Sequence, residues 1–426
     1  MPRVCSALDA TGGRCAIDRS AFLQRVGEYA ARGARVILLC EADGKGDVGR
    51  APLCLLSAVV FSDPLRSDAR QAVRTLKGAG VQVVMVTGDS KETAASLGAA
   101  CGILSSDGIV LTGEELATKS DSEVKSIFPR LAVVARALPR DKSRLVRLAG
   151  EMGLVVGMTG DGINDAPALK TADVGFAMGS GTQVAKEAGD VVILDDNLAS
   201  IARAVLYGRT IFKSIRKFIT LQLVMNFCAV GISVIGPFIG VEAPVTVVQM
   251  LWINLIMDTL GGLAFAGEAP MPYYMKEKPK RREEPILSRA LAARIGVMTL
   301  SGVMLSVFFL KSSFVRAQFR ESEGDIVLLT AFFALFIFAS LFQCFLARTD
   351  RVRMLLGLAK NRAFCAIVLL VGVVQILFVY LGGAVLRTVP LTSRELLFTL
   401  ALSAIVVPIG WLHLLHRRLS GKPSLY

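Results

Sequence analysis

The chain has 426 residues, 53% of them hydrophobic and 19% charged, with a formal net charge of +13. A mean hydropathy of +0.56 is too apolar for a wholly water-soluble protein, so the composition predicts a membrane portion. The positive charge does not point to nucleic acid, because Lys and Arg lie in short loops between apolar runs and no basic stripe with interleaved aromatics occurs.

Residues 1–200 are mixed and charge-rich, as in a globular domain in water, and they lack the basic-then-apolar pattern of a signal peptide. The eight cysteines are scattered without C-x-x-C or Cys/His metal spacing and read as small core residues in a reducing compartment. From about Ser57 onward, short apolar runs alternate with amphipathic stretches. Leu55–Phe61 predicts a strand before a helix at about 66–79, and Val81–Val86 one before a helix at about 91–100. Ala132–Ala135 precedes a helix at about 140–152, Leu154–Met158 a short helix near 165–171, and Val191–Leu194 a helix from about Leu198. This alternation predicts a Rossmann-like α/β domain with a parallel sheet and ligands at the strand C-terminal ends.

Six apolar segments follow, at about 214–238, 244–266, 291–311, 326–347, 363–385 and 395–415. Each can cross the hydrocarbon core, for which about 20 helical residues are needed. With the first domain cytosolic, the loops at 267–290, 347–362 and 416–426 share its side and carry six, five and three Lys or Arg. The opposite loops at 239–243, 312–325 and 386–394 carry none, two and two. The bias predicts an even number of spans with both ends cytosolic.

Among the candidate chemical residues, Asp161 and Asp165 stand four apart in the glycine-rich turn Thr159-Gly-Asp-Gly-Ile-Asn-Asp165, directly after a predicted buried strand. Mg2+ takes one or two carboxylates together with phosphate oxygens, and glycines let backbone approach a phosphoryl group. A solvated Asp/Gly turn is the plainer reading of that spacing alone. Thr87, Gly88 and Asp89 likewise follow a strand and open a helix, where anions are stabilised, although a capping Thr or Asp explains such a tripeptide equally. Lys142, in Leu138-Pro-Arg-Asp-Lys-Ser143, could be an ordinary surface lysine.

Taken in order, these segments resemble the second to fourth motifs of the haloacid-dehalogenase-like phosphotransferases. The wording of the turn, continued in Ala172-Asp-Val-Gly-Phe-Ala-Met178, Val184-Ala-Lys-Glu-Ala188 and Asp195-Asp-Asn197, resembles the P-type ATPases, closest to calcium pumps of plasma-membrane type. The resemblance runs from about residue 20 to about 416 and implies a nucleotide-domain remnant (1–56), most of a phosphorylation domain (57–210) and the last six membrane helices (211–426). It further implies that Thr87 and Gly88 hold phosphoryl oxygens, that Lys142 neutralises developing charge, and that Asp161 ligates Mg2+ with Asn164 and Asp165 completing the site. Asp63-Pro-Leu-Arg66 is similar to the family's D-P-x-R element, and Gly33-Ala-Arg-Val36 to the last strand of its nucleotide domain, so that Asp63, Arg66 and Arg35 fall on the ATP side; a plain strand-edge arginine is the other reading of Arg35. The family's nucleophile, the aspartate of D-K-T-G-T, has no counterpart, and the K-G-A-P element is absent.

In the predicted spans, Asn226, Asn254 and Asp258 stand out. An acid at bilayer depth is costly unless paired or coordinating, and the spacing of four puts Asn254 and Asp258 on one face of a regular helix. Hard oxygens suit Ca2+, whereas an interhelical hydrogen bond accounts for Asn226 as readily. Trp252-Ile-Asn-Leu-Ile-Met-Asp258 resembles the ion-ligating sixth helix of calcium pumps. Ala229 and Ser340 fall where two-site pumps have glutamates, which implies one Ca2+ per cycle. The expectation is therefore the C-terminal half of a plasma-membrane calcium pump, using ATP and Mg2+ when complete and inactive alone. The alternatives are a non-catalytic half-pump or subunit that assembles with a separate N-terminal partner, and a membrane-tethered phosphatase.

Overall fold

The computed structural model describes residues 4–8, 13–31, 34–42, 53–61, 65–241, 243–349, 358 and 361–420. It divides into two compact units, one formed by residues 1–205 with 272–283, the other by 206–271 with 284–426.

The first unit begins with β1 (Val4–Leu8), β2 (Arg14–Ala16), α1 (Arg19–Ala31), β3 (Arg35–Ala42) and β4 (Leu53–Phe61). These strands form one sheet in the order β2-β1-β4-β3, in which β4 runs parallel to β1 and antiparallel to β3. The expected first strand of the parallel sheet, Leu55–Phe61, therefore belongs to a different, mixed sheet. Its run of β-branched and aromatic residues specifies a strand without specifying its partner, and pairing with β3 decides the matter.

Next come α2 (Ala69–Gly78), β5 (Met85–Val86), α3 (Lys91–Ala100), β6 (Ile109–Thr112), α4 (Gly113–Ala117), α5 (Asp121–Ile127), β7 (Leu131–Ala135) and α6 (Pro139–Glu151). They are followed by β8 (Gly157–Gly160), α7 (Ala166–Thr171), β9 (Val174–Met178), α8 (Gln183–Ala188) and β10 (Val191–Ile193). Where one parallel sheet was expected there are two three-stranded parallel sheets, β5-β7-β6 and β8-β9-β10. Successive βα units build both, as the alternation predicted. All five residues of β7 are buried, in keeping with an interior strand.

Helix starts are written locally. Thr112 with Glu115, and Ser120 with Glu123, form reciprocal capping boxes at α4 and α5. Pro139 opens α6, where the Asp141 carboxylate accepts from the Leu138 amide at 2.8 Å. Asp121 on α5 accepts from Arg144 and Arg147 of α6 at 2.7 and 2.8 Å, and the Arg147 hydrogen bond first, then that of Arg144, holds its carboxyl below the ordinary value of 3.8. A depressed carboxyl stabilises the folded form above its unfolded value and loses that contribution as protons return. Acid titration below about pH 4 is therefore expected to loosen the α5–α6 contact in the wild type and much less in Asp121→Asn, measured by the unfolding midpoint against pH. Equal acid sensitivity of the two proteins would rule this out.

Helix α9 (Leu198–Phe238) is a single 41-residue helix. A soluble helix from Leu198 and a separate span at 214–238 were expected; no proline occurs in it before Pro237, so nothing interrupts the hydrogen-bond ladder. At 1.5 Å per residue it is about 60 Å long, twice the hydrocarbon thickness. The second unit continues with α10 (Val247–Leu255), a π-helical turn at Ile256–Gly261 and α11 (Gly262–Ala266). There follow α12 (Arg289–Lys311), the short α13 (Ser313–Arg316), α14 (Ile326–Arg348), α15 (Arg362–Leu381), the short α16 (Gly383–Leu386), α17 (Ser393–Ser403) and α18 (Val406–Leu419). Among the described residues, six helical stretches are long and apolar enough to cross a membrane: Leu198–Phe238, Val247–Ala266, Arg289–Lys311, Glu323–Arg348, Arg362–Leu381 and Ser393–Leu419. The fold class is thus the expected α/β domain followed by a helical region whose spans are long and apolar enough to cross a membrane. Helix α14 is the most enclosed of the six, with Phe332, Phe333, Ala334 and Leu335 in the bundle core.

Candidate functional site

In the first unit the turn after β8 is built around Asp165. Its Oδ1 accepts from Lys142 Nζ at 2.5 Å, and its Oδ2 accepts from the amides of Asp161 and Gly162, both at 3.3 Å. Asp165 is buried and Lys142 nearly so, which makes this a charge-assisted, largely desolvated pair joining the start of α6 to the loop. Asp165 is therefore engaged in shaping the turn. The Asp161 carboxylate is exposed and makes no hydrogen bond among the described residues, while its carbonyl accepts from Thr182 at 2.8 Å. Asn164 is exposed beside it. One free carboxylate on a loop shaped for close approach fits a Mg2+ whose remaining ligands are phosphate and water; no group of three acidic, His or Cys side chains gathers among the described residues.

Gly160 is required by that packing: a Cβ there would stand 2.8 Å from Asp165 Cγ, whereas at Gly162 the nearest atom, Asp165 Oδ2, is 3.7 Å away. Gly160→Ala is expected to destabilise the first unit by about 1–3 kcal/mol through forced displacement of Asp165, with Gly162→Ala near neutral. Chemical denaturation of the two variants would check this, and equal stabilities would refute it.

At the end of β5, Thr87 Oγ1 donates to Asp89 Oδ2 at 3.0 Å and accepts from the Asp89 amide at 3.2 Å. The α3 cap is Ser90, whose Oγ accepts from the Thr93 amide, so the capping explanation falls to Ser90 and leaves Thr87 and Asp89 outside it. Thr87 is half-buried and Gly88 exposed. Arg66 donates to the carbonyl of Asp196 at 2.8 Å, and Asp68 with Asn197 closes the same turn; Asp196 adopts the left-handed region at φ 50°. Arg66 is thereby tied to the Asp195-Asp-Asn197 turn, a pairing that sequence spacing does not reveal. Asp63 and the Arg35 side chain lie outside the described residues, although Arg35 belongs to β3 by its backbone.

In the second unit, Asn254 sits near the end of α10, and Asp258 lies in the π-helical turn, its side chain outside the described residues. The expected regular α-helix thus gives way to a π-helical turn where the acid stands. Such turns release backbone groups from the α ladder and occur frequently at functional sites. Asn226 and Asn254 are half-buried and make no side-chain hydrogen bond among the described residues. Ala229 is buried, and the Ser340 hydroxyl donates to the Phe336 carbonyl of its own helix. Ser340 also lines an apolar cavity with Met225, Ile253, Ile256 and Leu260. The stretch before the π-helical turn is held by two side-chain contacts of α10. Gln249 donates to the Leu386 carbonyl at 2.8 Å, and Trp252 to Gln375 at 3.2 Å.

Beyond α11, Glu268 accepts from Lys217 at 3.1 Å, from Arg348 at 2.6 Å and from Asn361 at 3.3 Å, all four residues being buried. No sequence signal marks this cluster. A glutamate two residues after an apolar helix reads as a loop residue, and only the tertiary contacts bring cations from α9 and α14 to it.

Comparison with known proteins agrees with both units. The family model described as cation transporting ATPase, C-terminus, matches residues 242–415, and two described as haloacid dehalogenase-like hydrolase match 13–173 and 156–205. The chain is 37% identical over 389 residues to calcium-transporting ATPase 1, plasma membrane-type, of Oryza sativa subsp. japonica, covering 90% of this chain and 37% of the relative. It is 36% identical over 387 residues to putative calcium-transporting ATPase 11, plasma membrane-type, of Arabidopsis thaliana, covering 88% and 37%. It is also 36% identical over 449 residues to calcium-transporting ATPase PAT1 of Dictyostelium discoideum, covering 96% and 40%. The chain therefore spans about two fifths of the length of these relatives.

Proposed function

The chain belongs to the cation-transporting P-type ATPases, and from that premise we propose that it is the C-terminal part of a pump that exports Ca2+ from the cytosol across the plasma membrane at the expense of ATP. Residues 1–56 are read as the end of a nucleotide domain, 57–210 as a phosphorylation domain and 211–426 as the last six membrane helices. The observation that carries the reading is the π-helical turn at Ile256–Gly261, which contains Asp258 and follows Asn254, in a helix otherwise apolar enough to cross a membrane. Half-helix ends and released carbonyls supply cation ligands that a continuous helix withholds.

Asp258 and Asn254, with Asn226 on α9, would bind the ion. Ala229 and Ser340 bring no acid, which supports one Ca2+ per cycle. In the first unit Asp161 would hold Mg2+, which when bound shields phosphoryl charge. Thr87 and the backbone at Gly88 would orient phosphoryl oxygens, and Lys142 would balance their charge while Asp165 fixes its ammonium. Arg35, Asp63 and Arg66 are assigned to the nucleotide side. The sequence 1–426 carries no D-K-T-G-T aspartate, so it is expected to turn over nothing by itself.

The test uses Trp252, two residues before Asn254. Ca2+ added to the purified chain in detergent should change tryptophan fluorescence saturably, and Asp258→Asn should abolish the change. No response, or one unaltered by Asp258→Asn, would sink the calcium reading. Mg2+-dependent hydrolysis of p-nitrophenyl phosphate that disappears in Asp161→Asn would instead favour a membrane-tethered phosphatase.

A further inference from the structure

Helix α10 carries Asn254 and runs directly into the π-helical turn, so whatever fixes α10 sets where both stand. Among the described residues its side chains make two hydrogen bonds to other elements: Gln249 to the Leu386 carbonyl at 2.8 Å, and Trp252 Nε1 to Gln375 Oε1 at 3.2 Å. Both leave from one face, since Gln249 and Trp252 are three residues apart. The Trp252 ring also meets Phe378 edge to face, with centroids 4.7 Å apart. Gln375 and Phe378 are likewise three apart on α15, so one stripe of α15 grips the indole by its N–H and by its ring.

Toward the start of α15 the hold is weaker. Val368 and Val371 line, with Ile256 and Leu260 of the π-helical turn, an apolar cavity of about 30 Å3. Apolar contacts around a void leave a turn room to shift, whereas a hydrogen bond is directional and fixes rotation about the helix axis. Gln375 is fully buried, and its Nε2 has no hydrogen-bond partner among the described residues. A half-satisfied amide in apolar surroundings stabilises little, because the unmade hydrogen bond offsets the made one. What it supplies is the place at which the indole is held. At about 100° per residue Asn254 stands about 200° around α10 from Trp252, so a rotation that slides the indole off Gln375 swings Asn254 by the same angle.

We infer that Gln375 is a positioning residue for the cation site: its Oε1, through Trp252, sets the rotation of α10 and thereby the direction of Asn254 and of the carbonyls released at the π-helical turn. The part that concerns the cation rests on the calcium reading given above. The tie between α15 and the turn rests on the contacts alone. Groups that orient a metal's ligands without touching the metal govern its affinity in the same way.

The test compares the full chain in detergent with Gln375→Leu and with the double variant Gln375→Leu, Trp252→Phe. Amides of 253–262 are expected to exchange with solvent about tenfold faster in both variants, with the rest of the second unit unchanged. Gln375→Leu strands the indole N–H and should lower the unfolding midpoint measured by circular dichroism. The double variant should recover that midpoint, because both partners have become apolar, and yet keep the fast exchange. Equilibrium binding of radioactive Ca2+ should weaken about tenfold in both, the scale on which loss of an orienting partner acts. Unchanged exchange at 253–262 in Gln375→Leu, or acceleration spread over the whole second unit, would overturn the tie. Exchange that returns to the wild-type rate together with the midpoint in the double variant would overturn it too, since Gln375 would then serve stability alone. Faster exchange with unaltered Ca2+ affinity would overturn the positioning of the cation ligand. If the wild type binds no Ca2+ while Gln375→Leu still speeds exchange, the calcium reading fails and the tie between α15 and the turn stands.

Discussion

Glu268→Ala is expected to destabilise the second unit by about 3–5 kcal/mol, since it removes the carboxylate that two buried cations share. Lys217 comes from α9 and Arg348 from the end of α14, and Asn361 at the start of α15 adds a hydrogen bond, so one side chain fastens three helices to the segment after α11. The side chains of Lys217, Glu268 and Arg348 are only 5%, 4% and 3% exposed, which leaves little water to compensate the cations. A buried ion pair is not in itself a source of stability relative to apolar packing, but its one-sided disruption is costly. Glu268→Gln keeps an oxygen for Arg348 and Asn361 while losing the charge, and should fall between Ala and wild type. The combined change Lys217→Met, Glu268→Leu and Arg348→Met should recover most of the loss. Thermal unfolding followed by tryptophan fluorescence checks this cleanly, because both tryptophans, Trp252 and Trp411, lie in the second unit. An unchanged midpoint in Glu268→Ala would show that the cations find equivalent partners elsewhere.

Glu268 also marks what the sequence could not disclose. Span existence follows from length and apolarity, so all six helices were legible, and so were most βα units of the first unit. Pairing depends on distant residues: nothing within Leu55–Phe61 says that it lies beside Arg35–Ala42. The π-helical turn was hidden for a related reason. Trp252–Leu260 has a helical composition throughout, and nothing in it distinguishes the π-helical turn at Ile256–Gly261 from an ordinary helix. At the candidate phosphoryl site the motif residues were visible, but the division of labour was not. Spacing alone makes Asp161 and Asp165 equivalent, whereas hydrogen bonding leaves Asp161 open and commits Asp165 to Lys142 and to two backbone amides. Arg66 was legible as a charged residue in a family-like element, yet its tie to the Asp196 carbonyl spans 130 positions.

That division of labour predicts different outcomes for the two acids. Asp165→Ala strands the Lys142 ammonium and two loop amides, and should cost the first unit about 3–4 kcal/mol, near the lower end expected for breaking a buried pair because Lys142 retains 17% exposure. Asp165→Asn should cost less, because its side-chain oxygen can still accept from the amides of Asp161 and Gly162 while only the ion pair is lost. Asp161→Ala should leave stability within about 0.5 kcal/mol of wild type, as expected of an exposed side chain without hydrogen-bond partners among the described residues, and should act only on Mg2+. Hydrogen exchange across residues 157–171 distinguishes these cases: faster in Asp165→Ala, modestly faster in Asp165→Asn and unchanged in Asp161→Ala without metal. Tryptophan fluorescence reports only the second unit, so an unfolding midpoint that shifts by that probe in Asp165→Ala would mean that the effect is not confined to the turn. Equal exchange in Asp161→Ala and Asp165→Ala would show that Asp165 has no special part in shaping it.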